Sequence, residues 1–122
     1  MERIEEFSRN GKNFIYIDLS GFSTIGEFSS LTDQVKQVIS KYPLNSVYTI
    51  THIENIRFDT SIKNHIAEYM RFNKPYVKCG VVTGIDGIKK IMVNTALKLS
   101  GRNNLTFCYT REEAIDILLK KE

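Results

Sequence analysis

Apolar residues recur along this chain with two alternating periods, and the switches between them mark its elements. In KNFIYID, Phe14, Tyr16 and Asp18 fall on one side of an extended segment and Ile15 and Ile17 on the other. That is the period of two expected of a strand. Asn10-Gly11 separates this segment from another extended stretch over about residues 3–8. Both residues tolerate positive φ, so the pair predicts a β-hairpin closed by a two-residue type I′ turn. The period then changes. Ile25, Phe28, Leu31, Val35, Val38, Ile39 and Tyr42 recur at three and four residues, which gives one apolar stripe on a helix. Thr24 and Glu27 have the spacing of a capping box at its start, and Pro43 stops it.

Val47 to Ile50 predicts a third strand. After a polar elbow, Asp59, Thr60 and Ser61 open a helix carrying Ile62, Ile66, Tyr69 and Met70. It ends near Asn73, because Pro75 disfavours helical geometry at Lys74. Tyr76 to Val82 is nearly continuous in apolar character, as a strand covered on both faces should be. The loop from Thr83 to Gly87 feeds a helix over about residues 88–100, with Gly101 as its stop. Leu105 to Tyr109 reads as a fifth strand, and Thr110 with Glu113 repeats the capping-box spacing ahead of a last helix through Leu119. The order β-β-α-β-α-β-α-β-α predicts one α/β domain over residues 1–122. Its sheet is mixed and mostly parallel, with the N-terminal hairpin supplying the antiparallel pair.

Composition narrows the function classes. A chain of 122 residues is long enough for a single core. The net charge of +3 comes from 17 basic and 14 acidic residues dispersed along the chain, so no basic stripe predicts a nucleic-acid partner. No apolar run approaches the roughly 20 residues of a membrane span. The start, MERIEEFSR, has no signal-peptide core, and a cytoplasmic location is expected. Cys79 and Cys108 fit no CxxC pattern and read as buried thiols. Neither a metal nor a cofactor is implied.

The element order, with two local patterns, resembles the STAS domains of anti-sigma-factor antagonists. In that family a strand ends in an Asp-Leu-Ser-like segment, and Asp-Ser-Ser-Gly starts the next helix. The matching run here is Thr51 to Phe58 followed by Asp59-Thr60-Ser61-Ile62. The second pattern runs from Lys89-Lys90 through Leu99-Ser100-Gly101, then Phe107 to Tyr109 and Thr110-Arg111-Glu112-Glu113-Ala114. A nearer likeness, carried by NKPYVK and SGRN, is to small stand-alone SpoIIAA-like proteins of bacteria, of STAS/CRAL-TRIO type.

The resemblance implies a STAS fold and a non-enzymatic regulatory or protein-interaction module, with a regulatory kinase or sensor protein as partner. A homo-oligomer is compatible with it. Because the fold is shared with lipid-transfer domains, a small apolar-ligand carrier of CRAL-TRIO-like type is the alternative. Residue by residue, the likeness makes Ser61 the phosphoacceptor, with Thr60 in place of the family's first serine and Asp59 supporting. Ile62 stands where the family has glycine, and Thr51 is nearest to its strand-end Asp. Partner docking is expected around the 51–62 elbow, at Phe58 and Ile62.

Two stretches admit a plainer account. Asp59-Thr60-Ser61 also suits ordinary helix capping, which contributes about 1 kcal/mol. The loop carrying Gly84 and Gly87, followed by Lys89 and Lys90, opens a helix after a strand and is an anion-binding candidate. Its spacing is neither GxGxxG nor GxxxxGK[ST], Asp86 would repel a phosphate, and a simple turn capped by Asp86 is the reading preferred. His52 and His65 have no ligand-spaced partners and read as hydrogen-bonding histidines. A receiver-like acidic site is not expected, since Asp18 stands alone after its strand.

Overall fold

The computed structural model describes residues 3–22, 24–54, 60–84 and 105–120. The hairpin closes as its turn dipeptide requires, with Asn10 and Gly11 at φ of 54° and 77°, the left-handed values of a type I′ turn. It sets β1 (Ile4–Arg9) antiparallel to β2 (Lys12–Asp18), with Arg9 opposite Lys12 and Ile4 opposite Ile17. β3 (Val47–His52), β4 (Val77–Thr83) and β5 (Leu105–Phe107) then add in sequence order, each parallel to the one before. The described helices are α1 (Ile25–Ile39), α2 (Thr60–Asn73) and α3 (Arg111–Leu119). The helix expected over residues 88–100 lies outside the described residues.

Local signals place the helix ends. Thr24 accepts a hydrogen bond from the Glu27 amide at 3.3 Å, and Thr110 does the same from Glu113 at 3.1 Å. Each satisfies an amide that the first helical turn leaves without a partner. Both N-caps are therefore formed, and each threonine hydroxyl also donates to the same glutamate's carboxylate, at 3.0 and 3.2 Å. Ile25 departs from the expected stripe and is 41% exposed; as the first helical residue it lies at the rim of the packed face.

β3 separates two cores. Val47 and Ile53 pack with Ile15, Ile17 and Leu19 of the β2 segment under α1 and α2. Tyr48 and Ile50 face the other way and pack with Phe14, Val81 and the Ala114, Ile115 and Leu118 stripe of α3. Strict alternation would put Val77 on the same face as Val81. A shift in pairing lets Val47 meet Val77 while Tyr48 meets Cys79. The irregularity skips Lys78 and returns Val77 to the first core. A one-residue slip inverts every later side chain, so this shift decides which β4 residues reach the carboxyl edge on the α3 face.

Long-range contacts close the ends. Lys12 Nζ donates to the Leu118 and Leu119 carbonyls at 3.1 and 3.0 Å, where a cation complements the last turn of α3. Asn45, at φ 55°, lets the α1–β3 connection turn so that its amide meets the Pro75 carbonyl at 2.8 Å.

α1 and α2 meet through His65. Its Nε2 lies 2.7 Å from Thr32 Oγ1, which also lies 3.1 Å from the Ser29 carbonyl oxygen. The ring also meets Phe28 edge-on at 5.4 Å. Burial, followed by the Lys36 charge, holds its pKa below the usual 6.5, against the opposing pull of Glu68 and Asp33. The unfolded chain then binds the proton more readily than the folded one. Stability from this site is complete above about pH 6.5 and falls as pH drops toward the lowered folded value. Urea denaturation between about pH 8 and about pH 5 should show this loss, and His65→Gln should flatten it. An unchanged slope in the variant would place the effect elsewhere.

Candidate functional site

Open parallel sheets present ligands and partners at the carboxyl ends of their strands, and here that edge is polar on one face. Asp18 pairs in register with His52, and His52 with Thr83. Each lies two residues beyond a member of the α3-side core: Tyr16, Ile50 and Val81. The period of two therefore aims all three side chains to the α3 side. β3 runs two residues past the expected Ile50, because Thr51 and His52 continue both ladders. His52 is a strand residue, not part of a free elbow.

Backbone bonds carry the order past the strands. The Leu19 amide donates to the His52 carbonyl at 2.8 Å, Gly21 to Glu54 at 2.9 Å, and Ile53 to Thr83 at 2.9 Å. Asp18 folds the next turn by accepting from the Ser20 amide at 2.9 Å and from the Ser20 hydroxyl at 2.5 Å. Arg3 clamps it from outside, donating to the Asp18 and Ser20 carbonyls at 3.2 and 2.7 Å while its guanidinium covers the Phe22 ring at 4.5 Å.

His52 is the most constrained side chain in the row. Nδ1 lies 2.9 Å from Thr83 Oγ1, and Nε2 lies 3.8 Å from Glu54 Oε2. The sequence hydroxyl–imidazole–carboxylate is that of a nucleophilic relay. Thr83 is only 1% exposed, however, so its hydroxyl orients the ring and is not presented to a substrate. Gly84 completes the fit. It sits at φ 77°, and a Cβ there would meet the His52 ring, with Cε1 the nearest atom. Its missing side chain makes room for imidazole, and the space on that side is occupied by the ring, not open to an anion.

The flank of the row is set by α3. Arg111, in its first turn, bonds Glu5 at 3.0 Å and lies 4.3 Å from the Tyr16 ring centre. The hydrogen bond from Arg111 holds the Glu5 carboxyl below the usual range. Burial pushes the Tyr16 phenol up, the Asp18 carboxylate adds to this, and Arg111 opposes it. Cys108 packs on the same face, and burial raises its thiol above the ordinary value. A thiol held protonated is a poor nucleophile. Both cysteines are free and half-buried. Among the described residues no group of three or more His, Cys, Asp or Glu is placed to hold a metal ion, and no described helix is long and apolar enough to cross a membrane.

The expected site residues separate. Thr60 and Ser61 form the exposed start of α2, at the same end of the sheet. Ile62 is 3% exposed and belongs to the α1–α2 core. The docking role expected of it is corrected, because a side chain spent on the core is not offered to a partner. Asp59, Phe58, Gly87, Lys89 and Lys90 lie outside the described residues. The Asp18–His52–Thr83 row was missed by sequence reasoning, although continuing the Tyr48–Ile50 alternation by one step reaches His52.

Gly84→Ala should destabilise the fold by about 1–3 kcal/mol through its positive φ and its collision with His52. Combined with His52→Ala, the penalty should shrink by a coupling of about 0.5–3 kcal/mol. A cycle measured by urea denaturation that proves additive would show that the ring does not rest on Gly84.

No family model, curated protein or solved structure matches the chain, so the functional reading rests on these residues and their placement.

Proposed function

We propose that this chain is a non-enzymatic regulatory module of STAS-like type. On this reading it binds a protein partner at the carboxyl edge of its sheet and is modulated by phosphorylation at Ser61, with Thr60 as the secondary acceptor. The observation that carries the reading is the start of α2. Thr60 and Ser61 are exposed, whereas Ile62 is packed into the core. The hydroxyls are thus held outward by a fixed helix turn.

Electrostatics favour the same place. α1 carries Glu27 in its first turn and α3 carries Glu112 and Glu113, but α2 has no acidic residue there. The partial positive charge of a helix start attracts anions by roughly 0.3–1 kcal/mol. A phosphate adds about −1.5 to −2 charges. Modification would place it at the start of α2, at the carboxyl end of the sheet. This changes the surface charge without disturbing the core beneath.

The apolar-ligand alternative is less well supported. Ligand pockets need roughly 300 Å³ or more. The space between α2 and the sheet, lined by Ile66, Met70 and their neighbours, is about 20 Å³, and the larger hollow of about 280 Å³ beside Arg3, Ile4, Leu31 and Gln34 has a mainly polar lining.

Two measurements check the proposal. Incubation with a serine/threonine kinase from the protein's own cells should add one phosphate by intact mass, and Ser61→Ala should abolish most of it. Ser61→Asp should raise stability by about 0.3–1 kcal/mol if the helix start accepts an anion. Ser61 left unmodified while a control substrate is phosphorylated would sink the switch.

A further inference from the structure

We infer that the small cavity between α2 and the sheet is a binding site for one ordered water, held by Asn73. This inference is independent of the regulatory reading. Asn73 is the last residue of α2 and is 3% exposed. Its Oδ1 is buried and meets no protein hydrogen-bond donor. A buried amide oxygen left in this state costs about 1–3 kcal/mol, and buried polar groups in folded proteins find a partner in protein or in water.

The cavity next to it has the right size and lining. Its volume is about 20 Å³. Roughly 10–15 Å³ of this measure accommodates a water, so the space suits one and is small for two. Thr49 and Thr51 of β3 and Tyr69 of α2, which carry hydroxyl groups, line it together with the apolar side chains of Ile17, Ile66 and Met70. A buried water makes about three hydrogen bonds, with a range of two to four. Here it donates one proton to Asn73 Oδ1 and uses the wall hydroxyls for the rest.

Such a water would add a polar link to the apolar packing between these elements. It joins the C-terminal end of α2 to β3, the strand that both cores share. An apolar cavity of this kind would stay dry. The carbonyl oxygen makes it wet.

A high-resolution crystal structure of the intact chain, with and without pressurised xenon, tests the inference. The expected result is a density peak within hydrogen-bonding distance of Asn73 Oδ1 that xenon does not displace. Oxygen-17 relaxation dispersion in solution should count one long-lived water fewer in Asn73→Leu than in the wild type. Xenon or an organic molecule in the cavity would overturn the inference, as would Asn73 turned to a protein donor. An equal count of long-lived waters in a folded Asn73→Leu variant would also contradict it.

Discussion

β3 must satisfy two cores at once, and the rest of the structure follows from that constraint. Val47 to Ile50 are all buried, with neighbouring side chains committed to opposite faces. Burying a large apolar side chain contributes roughly 1.5–3 kcal/mol. A slipped register would exchange the two sets, moving Tyr48 and Ile50 against α1 and α2 and exposing Thr49 and Thr51 to α3. The fold therefore holds the register of β3 tightly, and its neighbours adjust. β4 does so through the irregularity beside Val77, which restores agreement between its own pattern and that of β3.

The polar edge is the visible product of that register. Because β3 is fixed, His52 lands beside both Asp18 and Thr83. Its ring then needs space, which Gly84 supplies by lacking a side chain. The edge combines an oriented imidazole, a carboxylate that folds its own turn and an exposed carboxylate at Glu54. The hydroxyl nearest the imidazole, that of Thr83, is buried and orients the ring. α2 leaves the same edge with its hydroxyls outward and its third residue inward.

Local features of the fold were legible in the chain because local chemistry decides them. Asn10-Gly11 needs only its own φ preferences, and Thr24 and Thr110 need only the helix amide three residues on. The α/β class and the mixed sheet follow from the same periodicities. Tertiary meaning was less accessible. Gly84 in a loop has several physical explanations, and only the ring packed against it chooses among them. Ile62 was expected to dock a partner because it follows the hydroxyl pair, yet helical spacing places it with Ile66 on the buried stripe. His65 pairs with Thr32 across 33 residues, a contact without a sequence signature. Asn73 reads as a helix end, and nothing local reveals that it lines a cavity with its Oδ1 buried.

The central claim is that the exposed start of α2 governs association with a protein partner. Affinity capture from the protein's own cells, comparing wild type with Ser61→Ala and Ser61→Asp, tests it most directly. The account predicts a stoichiometric protein partner whose recovery is similar for wild type and Ser61→Ala and changes several-fold for Ser61→Asp. A partner recovered equally with all three folded forms would contradict it, as would the absence of any stoichiometric partner.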